Sequence, residues 1–165
     1  MSASVPSFSP SETPTHARPS ARAVIGGTIL GLIGAILLVV TLAVVTAWVM
    51  DVRGFVTRPA DQAVIARLVP TVPLIIAVAA IHLVAAGGLV LAQRWAGSLG
   101  FFVALAGVAA AVLGLIAVGS GHDPFAGMST VSASVARSDG LGTLGVVLGL
   151  YAVAAVLLSR PGREV

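Results

Sequence analysis

Four long runs without a charged residue constrain this chain more than any other feature. They cover residues 23–50, 71–92, 99–118 and 141–158. A helix needs about 20 apolar residues to cross the hydrocarbon core of a bilayer, and each run has roughly that length or more. The first, at 1.5 Å per residue, reaches on the order of 40 Å, so it should tilt or protrude. A cleaved signal peptide has an apolar region of only about 7–15 residues, far shorter than this one.

Composition supports hydrocarbon as the solvent. Charged residues make up 9% of the 165 residues and apolar residues 58%. A soluble domain carries roughly 25% charge. These features predict an all-α integral membrane four-helix bundle with up-down-up-down order. One domain over 23–159 is expected, with a tail at each end.

Residues 1–22 are rich in Ser, Thr and Pro and cannot bury enough apolar surface to offset chain entropy. They read as a disordered, solvated tail; a docking or phosphorylation segment is the alternative. Residues 160–165 form a short charged tail. Between the first two runs, residues 60–69 (ADQAVIARLV) suit either a short helix on the membrane plane or a plain loop. Pro70 and Pro73 should open the second helix, where missing N–H groups do least harm. A short turn at Gln93, Arg94 and Trp95 enforces an antiparallel hairpin with the third. Residues 119–139 read as a polar external loop.

Small residues recur at helical spacing in the first, third and fourth runs. Gly27, Gly31 and Gly34 line the first, with a GxxxG at its start. Gly107, Ala111 and Gly114 line the third, Gly145 and Gly149 the fourth. In lipid, small residues let helix backbones approach closely, and that packing drives association. Contacts within the chain are the plain reading for the GxxxG, and a homodimer seam is the sharper one.

The second run holds one ionisable residue, His82, near its middle. An ionisable group at bilayer depth is costly and marks a candidate site. Ala79, Ala85 and Ala86 flank it on the same helix face, so His82 should turn inward. Tyr151 lies at a similar depth in the fourth run and is the expected partner. Thr41 or Thr46 of the first run is the fallback. Such a pair reads first as a structural interhelical hydrogen bond, second as a proton relay or ligand site.

Other chemistries lack their parts. The chain has no cysteine, which excludes disulfides, thiolate metal sites and iron–sulfur clusters. A bis-histidine haem would need a second buried histidine, yet His16 and His122 sit in polar segments. His122 and Asp123 alone do not make a metal site. No cofactor is expected. No GxSxG, HExxH or nucleotide-binding glycine loop occurs. The six acids all fall outside the apolar runs. Nine arginines are spread thinly along the chain, without the basic cluster that tracks nucleic acid. The expected partners are the lipid bilayer and a membrane protein or a second copy of the chain.

The sequence contains no lysine and no asparagine, which suggests a GC-rich bacterial genome. Arginines near the first and last runs and in the 93–95 turn favour a plasma or inner membrane location with both termini cytoplasmic. The expected function is a non-enzymatic structural or accessory subunit acting through helix–helix contacts. The alternative is a small transporter or ligand-binding bundle built on His82 and Tyr151. An intramembrane enzyme ranks last, having only those two reactive groups.

Overall fold

The computed structural model of the chain describes residues 19–120 and 133–159. Five α-helices follow in order: α1 (Ala21–Val52), α2 (Pro59–Leu68), α3 (Val72–Val90), α4 (Ala96–Gly119) and α5 (Ala133–Ser159). No strand occurs among the described residues. Four stretches are long and apolar enough to cross a membrane: Ala21–Val52, Asp61–Val90, Ala96–Gly119 and Gly140–Ser159.

Helix α1 starts at Ala21 because Ser20 caps it. The Ser20 hydroxyl accepts from the Ala23 N–H at 3.2 Å. It stops at Gly54, whose positive φ of 76° ends the helix in a left-handed residue. The N–H groups of Gly54 and Phe55 then reach back to Asp51 and Met50, satisfying the last carbonyls. Arg22 and Asp51 therefore lie inside the helix, outside the 23–50 expected. Charges end an apolar run but not the backbone hydrogen bonding.

Residues 60–69 belong to a helix and not to a loop. Helix α2 passes through a 3₁₀ turn, Val69–Thr71, into α3 with helical dihedrals throughout. Pro70 and Pro73 remove two N–H donors here, which accounts for the tightened turn. Helix α3 ends in the same way as α1, but Ala92 occupies the left-handed position at φ 52°. The Gln93 N–H bonds Gly88 O and the Ala92 N–H bonds Leu89 O. The chain then turns directly into α4, three residues earlier than the apolar run begins.

Helix α5 departs furthest from expectation. It begins at Ala133, so residues 133–139, read as loop, are helical. Ala133, Ala136 and Arg137 are good helix formers, and their backbone needs no membrane to pair. The tails 1–18 and 160–165, and loop residues 121–132 with His122 and Asp123, lie outside the described residues.

The helices pack by their small residues. Gly27 abuts Leu89 and Ala86, Gly31 abuts Ala86, and Gly34 abuts His82 and Leu83. Residue numbers thus rise along α1 as they fall along α3, and the pair is antiparallel. The GxxxG at Gly27 and Gly31 is engaged within the chain. Likewise Gly100 meets Leu158, Gly107 meets Tyr151 and Gly114 meets Leu144, so α4 and α5 are antiparallel. Helix α1 also touches α5, and α3 touches α4, while α3 and α5 face each other across the bundle.

The interior is built of Ala, Gly and a few larger chains. Ala79, Ala85, Ala96, Ala104 and Ala154 are fully buried, and Leu30 is the largest side chain to be so. Ala111 is 4% exposed. The large aliphatics instead point outward: Leu32, Val39, Leu42, Leu74, Leu113, Ile116, Val146 and Val156 are all exposed. Small residues inside and large apolar residues outside suit helices whose surroundings are as apolar as their core.

One expected packing stripe is not used in this way. Nothing lies within 4 Å of a Cβ placed on Gly142, Gly145 or Gly149. The opposite face of α5, carrying Tyr151 and Ala154, is buried instead. A helix has one face for its neighbours, and the bulky Tyr151 ring, held by a hydrogen bond, claims it from the glycines.

Candidate functional site

Four helices meet at one level of the bundle, and each contributes one residue: Gly34 from α1, His82 from α3, Gly107 from α4 and Tyr151 from α5. His82 is 4% exposed and Tyr151 7%. They stand on the two helices that face each other across the bundle. Their rings meet in the middle at a centroid distance of 5.7 Å and an interplanar angle of 61°.

Two rings on one diagonal need space from the other, and two glycines provide it. A Cβ on Gly34 would lie 3.1 Å from the Cβ of His82. A Cβ on Gly107 would overlap the ring of Tyr151 outright. The ring therefore rests on bare backbone of α4. No other residue type leaves that surface open.

Both ring nitrogens of His82 are engaged. Nδ1 lies 2.7 Å from the carbonyl oxygen of Val78, one turn earlier on the same helix. Nε2 lies 2.7 Å from the hydroxyl of Tyr151. A carbonyl only accepts, so Nδ1 carries a proton and donates. In the neutral imidazole Nε2 is then the acceptor, and the Tyr151 O–H donates to it. The backbone of α3 thus selects the tautomer, and the tautomer sets the direction of the interhelical bond. No buried polar side-chain atom lacks a partner among the described residues.

The threonines named as fallback partners take no part. Thr41 is buried, but its hydroxyl donates to Leu37 O at 2.8 Å; Thr46 is exposed and donates to Leu42 O at 2.8 Å. Both follow the usual habit of a helical threonine, which bonds the carbonyl one turn back. No group of three or more His, Asp or Glu that could hold a metal occurs among the described residues.

Three contributors, one to the site and two to the packing around it, escaped the sequence reading. The Val78 carbonyl has no sequence signal beyond lying four residues before a buried histidine. Gly26 and Gly88 pack against Leu158 and against Ala96 and Trp95. Gly26 sits beside Gly27, already in a small-residue stripe, and that adjacency was the available clue; Gly88 had no such neighbour.

The long apolar helices, with their small-residue interior, define a multi-pass helical membrane protein. Comparison with family models, with curated proteins and with solved structures yields no match for the chain.

Proposed function

We propose that this protein is a non-enzymatic structural or accessory subunit of a membrane. In this reading it crosses the plasma or inner membrane four times, up-down-up-down, with both termini in the cytoplasm. The carrying observation is the mutual satisfaction of His82 and Tyr151. Both ring nitrogens are hydrogen-bonded within the chain, so the polar pair ties α3 to α5 and leaves no donor aimed at a substrate.

The work of the subunit would be contact with other helices. The small residues Gly142, Gly145, Gly149 and Ala152 on the outer face of α5 would let a further backbone approach.

Replacing His82 with Gln tests the assignment. As a structural link, the variant should lose thermal stability in detergent and keep its partners in a pull-down from native membranes. Loss of a proton- or solute-linked flux, with folding intact, would instead make the pair a transport site.

A further inference from the structure

Charge is divided unequally between the two ends of the bundle. Gly27 lies beside Leu89, and Gly88 beside Ala96 and Trp95, so the start of α1 and the turn between α3 and α4 share one end. Arg22 and Arg94 are exposed there. No acid accompanies them among the described residues, and the first turns of α1 and α4, which both open at this end, hold none. The other end carries Asp51, Arg53, Arg58, Asp61 and Arg67, in which acids offset most of the positive charge.

The whole sequence sharpens the contrast. Segments attached at the Arg22 end hold five arginines and two glutamates, a net charge of three. Segments attached at the other end hold four arginines and four aspartates, a net charge of zero. By sequence, the formal charge of +3 is carried by the segments that connect at the Arg22 end.

Trp95 gives this end a depth marker. Its ring edge lies over Gly88, 2.8 Å from where a Cβ would sit, while the side chain remains 49% exposed. A tryptophan that is half apolar contact and half open belongs at the headgroup level of a bilayer. Arg94 is its neighbour in the chain and is exposed, so its guanidinium can reach the same level, where lipid phosphates lie. An arginine fork matches a phosphate better than a point charge does.

We infer that the Arg22, Arg94 and Trp95 end is a binding surface for anionic phospholipid headgroups. The inference rests on the membrane-embedded reading and adds lipid selectivity to it. A zwitterionic headgroup offers a phosphate with its own cation attached. An anionic one offers phosphate with none, and among the described residues this end has no acid to answer it. The opposite end, with its charges balanced, has no such preference.

The full-length protein should be reconstituted in nanodiscs of phosphatidylcholine with increasing phosphatidylglycerol, and the co-purifying lipid counted by native mass spectrometry. The wild type should enrich phosphatidylglycerol over its bulk fraction, less so at high salt. A basic residue near an anionic surface contributes about fivefold in affinity, so Arg22→Gln with Arg94→Gln should cut the preference by roughly 25-fold. The pair Arg53→Gln with Arg58→Gln should leave it unchanged. Thermal stability in pure phosphatidylcholine checks that both double variants fold. Equal retention of the two lipids by the wild type, or equal losses in the two double variants, would overturn the inference. Failure to enter phosphatidylcholine nanodiscs at all would instead overturn the membrane reading.

Discussion

The hydroxyl of Tyr151 lies 2.7 Å from Nε2 of His82, across 69 residues of sequence and the full width of the bundle. It is the only hydrogen bond between two side chains recorded among the described residues. Its removal should therefore be measurable on its own. Interhelical hydrogen bonds in membranes average about 0.6 kcal/mol, with a maximum near 1.7. Tyr151→Phe should cost about 1 kcal/mol in a reversible detergent unfolding assay. In a His82→Leu background the same change should cost almost nothing, because the hydroxyl then has no partner to lose. An equal cost in both backgrounds would mean that the bond does not hold α3 to α5.

Gly107 supports that bond without touching it chemically. Gly107→Ala would place a methyl group inside the space of the Tyr151 ring. The ring must move, and its hydroxyl with it. We expect a loss of about 2 kcal/mol or more, in the range of overpacked cores. Gly145→Ala and Gly149→Ala meet nothing within 4 Å. They should leave the monomer unchanged, or steadier by up to about 1 kcal/mol through helix propensity. Unfolding of the three alanine variants side by side decides it. Equal behaviour at Gly107 and Gly149 would contradict the packing described.

The two helix ends with left-handed residues make opposite predictions. Gly54 suits its position at φ 76°, whereas Ala92 bears a Cβ at φ 52°. A left-handed residue with a side chain costs roughly 1–2 kcal/mol, partly offset by the greater chain entropy of glycine. Ala92→Gly should therefore stabilise the protein by up to about 1 kcal/mol, and Gly54→Ala should weaken it by a similar amount. Melting temperatures of the two variants, which should move in opposite directions, provide the check.

Orientation is open to direct labelling because the chain has no cysteine of its own. Gln93 is exposed in the turn between α3 and α4, and Thr57 is exposed between α1 and α2. In intact cells, Thr57→Cys should react with a membrane-impermeant maleimide. Gln93→Cys should react only after the membrane is opened. The reverse pattern would place the termini outside.

How far the site was legible in the sequence differs residue by residue. His82 announced itself, because an ionisable group in the middle of an apolar run has few explanations. Tyr151 followed from counting rise along two helices that run in the same direction, which fixes depth well. Thr41 and Thr46 were equally eligible on depth and polarity. What excluded them is local: each hydroxyl already has a carbonyl one turn back. The stripe at Gly145 and Gly149 resembled the one at Gly107 and Gly114 in every sequence property. Only one of them faces a neighbour, since rotation of a helix about its axis is set by the largest group that must be housed, here the tyrosine ring.

The sequence by itself determined the solvent, the number of long helices and the depth of each residue along them. Those quantities follow from hydropathy and from a fixed rise per residue, which are local properties of the chain. The tertiary structure decided which helices face each other, which glycines are contacts, and which donor and acceptor meet at His82. Those are relations between surfaces distant in sequence. They depend on the rotation and lateral order of the helices, which four uniformly apolar runs leave unspecified.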